Sequence, residues 1–453
     1  MNAATPHKRT DKDQRPVSVI IGLGRTGASC ARHLAGRGHA LRITDSRAEP
    51  PGLAELHRSV EDASLSLGRF DPGLLEGADQ VVVSPGVSLR EPIVAAALAR
   101  GLDVVGDIEI FAREVAGRCV GITGTNGKST VTTLVGEMAE AAGTDVRVGG
   151  NLGRPALDLL AGEPAELYVL ELSSFQLETT HSLNLEAAVV LNVSADHLDR
   201  YAGLADYGAA KARIYDHCTT AVVNLDDEWV RRMPRPGQAT VGFSLARADA
   251  DYALLDLSGA AWLAARGEPV MPVAEMRLSG RHNAANALAA LALADACGLP
   301  REAAVRTLQR FPGLPHRAQW VAEAGGVRWI DDSKATNVGA TLAAVDGLDG
   351  PLVIVGGGDG KGQDFAPLAP AFRGKVRQAV LIGRDALRMG AALDGACEVA
   401  YAGSMEEAVA VARRVARAGD TVMLSPACAS LDMFRDYAHR GDVFAAAVRG
   451  GAA

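Results

Sequence analysis

The sequence predicts an α/β protein of three domains. The first reads as Rossmann-like, the second as a P-loop ATPase-type domain on a parallel or mixed sheet, and the third again as Rossmann-like. Short apolar strands alternate with longer helical stretches along the whole chain, the pattern of parallel sheets covered by helices. Most of these strands run directly into Gly, Ser, Asp or Asn, at the carboxyl ends where doubly wound sheets bind ligands. A length of 453 residues leaves room for three domains at roughly 150 residues each.

The elements follow in order. Residues 1–16, MNAATPHKRTDKDQRP, are polar and read as a flexible, solvated arm without the apolar region of a secretory leader. The first domain, 17–106, opens with VSVIIGLGRTG and continues through LRITDS and QVVVSPGVS. The second, 107–313, begins with the helix-like DIEIFAREVAG. RCVGITGTNGKST, LYVLELSS, AAVVLNVS and TAVVNLDD follow as its strands, and 281–311 reads as Ala-rich helices. Pro312-Gly313 interrupts that helical pattern and closes the domain. The third, 314–453, holds VRWIDDS, PLVIVGGGDGKG, AVLIG and TVMLSPACAS.

Composition excludes several functions. Lys plus Arg is 46 against 54 Asp plus Glu, a net charge of −8 that argues against coating nucleic acid. No apolar run approaches the roughly 18–20 residues that cross a bilayer, so membrane insertion is not expected. The six cysteines are dispersed without a CxxC pair, which argues against a zinc cage or a disulfide framework and for a reduced, cytoplasmic setting.

The strongest local signal is Gly121-Ile-Thr-Gly-Thr-Asn-Gly-Lys-Ser-Thr130, between an apolar strand and a helix-like stretch. Glycines let backbone N–H groups converge on an anion, and a helix N-terminus favours negative charge. Lys128 is placed to meet phosphates and Ser129 to offer a hydroxyl to Mg²⁺. Ile122 stands where the strict pattern asks for glycine, so the loop is a variant. Glu171 ends one following strand, Asn192, Asp196 and His197 follow another, and Lys211 lies on a helical stretch. In the first domain, Gly22-Leu-Gly-Arg-Thr-Gly27 with Asp45 matches a dinucleotide fingerprint. Alone it would suggest an NAD-dependent dehydrogenase, but the loop suits any diphosphate, and a dehydrogenase has no use for GTNGKST.

Taken together, GTNGKST, ELSSFQLE, NVSADHLDRY, AKARIY, SGRHNAAN, GLPHR, DDSKATN, GGGDGKGQDF and LSPACASLDMF resemble, in this order, the Mur ligases of peptidoglycan precursor synthesis. The resemblance runs from Val17 to about Gly441. GLGRTG, SPG and LSPACASLDMF resemble the D-glutamate-adding branch; the middle motifs are shared with folylpolyglutamate synthetases. The resemblance implies ATP-dependent addition of D-glutamate to UDP-N-acetylmuramoyl-L-alanine through an acyl phosphate; a three-domain enzyme that must hinge is expected to act as a monomer, and the composition points to a cytoplasmic one without nucleic acid or membrane.

It also implies site residues. Gly124, Thr125, Asn126, Gly127, Lys128, Ser129 and Thr130 form the ATP loop. Asn283 and Asn286 lie near adenine, and Arg317, Asp332 and Lys334 close onto ATP from the third domain. Two Mg²⁺ ions draw on Ser129, Glu171, His197 and Lys211, the last matching a lysine carbamylated by CO₂. Lys128, His197, Lys211 and Lys334 carry catalysis. Thr336, Lys361, Ser430, Leu431 and Tyr437 match the amino-acid site. Arg25, Thr26, Asp45, Ser46, Arg47, Ser84, Gly86 and Asn151 match the uridine-nucleotide side. Arg25 replaces a common apolar residue, and Tyr437 a common Phe.

These residue types suit the chemistry. A carboxylate is a poor electrophile, and phosphorylating it creates a leaving group, but two anions must first approach each other. Lysines, an arginine and divalent cations neutralise that repulsion. Three alternatives fit parts of the pattern: an amide ligase adding L-glutamate or another amino acid to a similar acceptor, a folate-type polyglutamate ligase, and a non-catalytic nucleotide switch.

Overall fold

The computed structural model describes residues 15–197, 199–278, 280–348 and 350–450. Residues 1–14 of the expected arm lie outside the described residues. The fold is α/β with three sheets, as the alternation of strands and helices predicts.

The first sheet contains β1 (Val17–Ile21), β2 (Ala40–Asp45), β3 (Ala63–Leu67), β4 (Gln80–Val83) and β5 (Asp103–Val105). Their order is β3-β2-β1-β4-β5, and every pairing is parallel. Strands buried on both faces need continuous apolar runs, which VSVII and QVVV supply. Gly22 turns the chain out of β1 at φ 93° into the Arg25–Gly36 helix. A Cβ on Gly27 would lie 2.1 Å from the Gly22 carbonyl oxygen, so glycine there lets the helix start against the strand end.

The second sheet contains β6 (Arg118–Thr123), β7 (Val146–Gly150), β8 (Leu167–Glu171), β9 (Leu185–Val190), β10 (Cys218–Asn224), β11 (Ala239–Ser244), β12 (Tyr252–Leu257), β13 (Ala260–Ala265) and β14 (Glu268–Pro272). Its order is β14-β13-β12-β11-β10-β9-β6-β8-β7. Pairing is parallel from β8 through β6, β9, β10 and β11 to β12, and antiparallel across β12, β13 and β14. One pairing register matters for the site. β6 lies between β8 and β9, with Ile122 opposite Glu171 and Thr123 opposite Val190. The chain segments leaving these three strands therefore emerge side by side.

The third sheet contains β15 (Gln319–Ala324), β16 (Val327–Asp331), β17 (Leu352–Gly357), β18 (Val376–Ile382), β19 (Glu398–Tyr401) and β20 (Thr421–Leu424), ordered β15-β16-β20-β17-β18-β19. Only the β15–β16 pairing is antiparallel. Successive residues of β17 serve opposite faces: Leu352 and Ile354 enter one apolar cluster, Val353 and Val355 the other. That two-sided burial explains the uninterrupted LVIV run.

The chain forms two compact units. One runs to Gly117 and takes in Val148–Ala165 and Leu172–Asn184; the other comprises Arg118–Arg147, Glu166–Glu171 and the chain from Leu185 onward. The third sheet and all of the second except most of β7 thus belong to the same unit. Among the described residues no helix is long and apolar enough to cross a membrane.

Candidate active site

The loop between β6 and the Lys128–Ala141 helix is held by the segment that leaves β9. Asn192 accepts from Thr125 N through its carbonyl (2.9 Å) and from Asn126 N through Oδ1 (2.8 Å), while its Nδ2 donates to Asn126 O (3.0 Å). Gly124 and Gly127 adopt φ 148° and 86°. A Cβ on Gly127 would come 2.5 Å from Asn286 Oδ1, so this position requires glycine for space as well as for conformation. Behind the loop the Lys128–Ala141 and Arg281–Ala296 helices pack together. The Ala-rich face foreseen for 281–311 allows that close approach.

Cations converge at this loop. Lys128 Nζ donates to Gly124 O and Thr125 O, both at 2.9 Å. Lys211 is fully buried; its Nζ also donates to Gly124 O at 2.9 Å and lies 4.4 Å from the Tyr207 ring centre. Burial, with Lys128 adding repulsion, holds the Lys211 ammonium well below the ordinary lysine range. Lys128 is lowered for the same main reason, burial, partly offset by Glu171 and Asp196. Lys334 is pushed down to about 8 by burial and by Arg317 and Lys128, with Glu171 opposing. The buried Glu171 carboxylate therefore lies within the field of all three lysines.

The third sheet contributes the rest. Arg317 Nη2 donates to Ser129 Oγ at 2.8 Å. Asp332 accepts from Ala318 N and Ser425 Oγ, both at 3.1 Å, and burial raises its carboxyl to about 7. Lys334 Nζ sits 3.9 Å from the Tyr437 ring centre. A cavity of about 340 Å³ is lined by Asn126, Thr130, Asn283, Asn286, Asp332 and Lys334 among others, with apolar walls from Leu191 and Phe243. Asn286 Nδ2 donates to Asn283 Oδ1 at 3.2 Å. This half-apolar, half-polar lining suits a flat heterocycle carrying a charged tail.

Asp196, given no role in the sequence-based site, and Asn337, not singled out there, tie the third sheet's loops to the phosphate loop. Asp196 Oδ1 lies 2.5 Å from Lys361 Nζ, and Asp196 Oδ2 accepts from Asn337 Nδ2 at 3.2 Å. Asn337 also exchanges side-chain hydrogen bonds with Asn126, at 3.2 and 3.4 Å. Asp196 stood in the NVSADH run; its pairing with a residue 165 positions away leaves no local signal. Of the residues expected at the amino-acid site, Lys361 (φ 50°) and Thr336 lie on loops following β17 and β16. Ser430 is buried and Leu431 exposed, both following β20, and Tyr437 starts the last helix.

The other unit holds the remaining group. Asp45 is buried and accepts from Leu23 N (2.7 Å), Arg47 N (2.9 Å) and, at both oxygens, the Arg47 guanidinium (2.9 and 2.8 Å). Its carboxyl is consequently held below the usual range, burial being outweighed by these bonds. Ser84 Oγ donates to Gly22 O at 2.6 Å. Arg25, Ser46, Arg47, Gly86 and Asn151 are exposed, and Thr26 half-buried.

The donor set also tests whether a metal fits. Among the described residues no three His, Cys, Asp or Glu side chains cluster as a cage. What the loop presents is the Ser129 hydroxyl, the Glu171 carboxylate and His197, whose imidazole is pushed down to about 4, mainly by burial, and is neutral at pH 7. A few oxygen donors and a neutral imidazole suit a hard cation that keeps waters and takes phosphate oxygens.

Three family models cover most of the chain. The Mur ligase MurD-like N-terminal domain matches residues 17–106, the Mur ligase middle domain 122–294, and the Mur ligase glutamate ligase domain 316–428. The chain belongs to the Mur ligase family. Mur ligases are ATP-dependent amide ligases that use Mg²⁺, and this Mur ligase is similar to curated enzymes over nearly its full length. It is 52% identical to the UDP-N-acetylmuramoylalanine--D-glutamate ligase of Nitrosococcus oceani, over 95% of this chain and 96% of that one. The enzyme of the same name from Methylococcus capsulatus is 51% identical, over 97% and 96%. In fold, this Mur ligase resembles MurF from Acinetobacter baumannii (TM-score 0.64, 18% identity, 91% of each chain). It also resembles UDP-N-acetylmuramate-alanine ligase from Thermotoga maritima (TM-score 0.62, 18% identity, 97% of this chain and 100% of that one).

Proposed function

We propose that this Mur ligase joins D-glutamate to UDP-N-acetylmuramoyl-L-alanine, converting ATP to ADP and phosphate, as a cytoplasmic monomer of peptidoglycan precursor synthesis. Near-full-length identity of about half to enzymes of that name carries the reading. In it, residues 17–106 take the uridine nucleotide, 107–313 take ATP and 314–453 bring the amino acid.

The chemistry follows from charge. Lys128, Arg317 and Lys334 bind the triphosphate and neutralise the γ-phosphoryl as a carboxylate oxygen of the acceptor attacks phosphorus and ADP departs. Asn283 and Asn286 hold the base in the cavity, and Asp332 the ribose. Lys361 and Thr336 meet the α-carboxylate of the amino acid, while Ser430, Leu431 and Tyr437 meet its side chain. The neutral amine then attacks the acyl carbon and phosphate leaves. Two Mg²⁺ ions, held by Ser129, Glu171, His197 and the carbamate of Lys211, supply further neutralisation of phosphate charge when bound. The depressed Lys211 supports the carbamate, because only a neutral amine reacts with CO₂ and the product replaces a buried cation beside Lys128 with an anion. Arg25, Thr26, Asp45, Ser46, Arg47, Ser84, Gly86 and Asn151 are assigned to the uridine nucleotide. Asp45 acts there through Arg47, to which it is bound.

The test is phosphate release with ATP, Mg²⁺ and UDP-N-acetylmuramoyl-L-alanine, with D-glutamate, L-glutamate, meso-diaminopimelate and L-lysine offered separately. Release with D-glutamate alone is expected. Release with L-glutamate instead would move the reading to the related ligase, and no release with any would remove it.

A further inference from the structure

We infer that His316 and Asp331 form a positioning pair that sets the two third-domain cations, Arg317 and Lys334, against the phosphate loop. The inference rests on reading Arg317 and Lys334 as nucleotide-binding residues. His316 Nδ1 lies 2.7 Å from Asp331 Oδ2, with the Asp331 side chain 2% and the His316 side chain 14% exposed. The His316 carbonyl accepts from Lys334 N at 3.0 Å, and the next residue, Arg317, reaches Ser129 Oγ at 2.8 Å. One short segment therefore governs both cations.

That segment is strained. His316 and Ala318 have φ of 60° and 47°, left-handed conformations that persist only where surrounding contacts hold them. The contacts are Asp331 on the His316 ring, Gln319 Oε1 on His316 N (2.9 Å), and Asp332 Oδ1 on Ala318 N (3.1 Å). Asp331 is itself oriented, since its Oδ1 accepts from Ser333 N at 2.9 Å. Space around the pair is equally specified. A Cβ on Gly441 would fall 2.3 Å from His316 Nδ1 and 2.5 Å from Asp331 Oδ2. No atom of the pair lies in the cavity that the nucleotide would occupy; a separate cavity of about 190 Å³ adjoins it. Its effect on the reaction is thus indirect, through the backbone of Lys334 and the direction of Arg317.

The experiment measures nucleotide affinity, independently of turnover, in full-length His316→Ala, His316→Asn and Gly441→Ala. The probe is AMP-PNP with Mg²⁺, titrated calorimetrically, with the uridine-nucleotide acceptor titrated in parallel and thermal unfolding recorded. His316→Ala and Gly441→Ala should weaken AMP-PNP about tenfold or more and leave acceptor affinity within about twofold, a selectivity that general loss of folded protein would not produce. His316→Asn keeps an N–H donor toward Asp331 and tolerates positive φ, so it should recover most of the affinity. Unchanged AMP-PNP affinity in folded His316→Ala, or equal weakening of both ligands, would overturn the inference. Wild-type protein that fails to bind AMP-PNP at all would overturn the nucleotide assignment on which it rests.

Discussion

Single buried residues carry charge-state consequences that can be read directly. Asp107 is 2% exposed, accepts from Gln176 Nε2 at 2.9 Å, and leaves Oδ1 without a hydrogen-bond partner. Burial raises its carboxyl to about 6 from the ordinary 3.8. Folding therefore favours the protonated acid. Its contribution to stability is complete below about pH 4 and is lost as pH rises to 6. Asp107→Asn, which keeps an acceptor for Gln176, should raise unfolding stability by about 1–3 kcal/mol at pH 8 and change it little near pH 4. Denaturant unfolding at both pH values checks this, and equal effects at both would contradict it. Lys211 makes a second case at this scale. Lys211→Ala should lower kcat by about 10–100-fold or more, as for loss of an oriented metal-site group, and added short carboxylates should restore part of the rate. Full activity without carboxylate would remove the carbamate.

At the scale of an element, the Val338–Asp346 helix has its N-terminus tied to two places. Asn337 caps it through Oδ1, accepting from Ala340 N at 2.8 Å, while Nδ2 donates to Asp196 and to Asn126 of the phosphate loop. Asn337→Asp separates these duties. Aspartate caps a helix as well as asparagine does, so the cap itself is kept. It cannot donate, however, and it sets a second carboxylate against Asp196. Ligase kcat should fall, and at neutral pH the repulsion lowers the thermal midpoint as well. An unchanged kcat would show that the link to the phosphate loop has no functional weight.

At the scale of the molecule, the third sheet and all of the second except most of β7 share one compact unit, and they are joined by Arg317–Ser129, Asn337–Asn126 and Lys361–Asp196. These contacts lie where the reaction would gather its ligands. A third domain that swings onto ATP and the amino acid should therefore give a more compact scattering profile with both present than with neither. Lys361→Gln removes the charged partner of Asp196 and, on the proposed reading, of the incoming carboxylate. It should raise the KM of the amino acid about 10–100-fold while leaving that of ATP within about threefold, the worth of one charge-assisted hydrogen bond. Equal rises in both KM values would remove Lys361 from the amino-acid site, and a scattering profile indifferent to ligands would count against the hinge.

The α/β class, the strand runs and the phosphate loop with Lys128 were legible in the sequence itself, whereas Lys211, Arg317, Lys334 and Lys361 were expected at the site through the resemblance to Mur ligases. Local chemistry declares these features: a buried strand needs an unbroken apolar run, and a phosphate turn needs glycine before a helix. Asp196, Asn337 and the His316–Asp331 pair were not legible in the same way. Their partners are distant in sequence, and a carboxylate's duty depends on what the fold brings beside it. Asp45 illustrates the same limit: its place at a strand end is written in the sequence, but its capture by Arg47 is decided by a loop conformation. Sequence alone therefore determined which chemical groups this protein owns and on which elements they ride. Only the tertiary structure decided which groups meet, because strand order, with β6 set between β8 and β9, is a property of the whole sheet and not of any one strand.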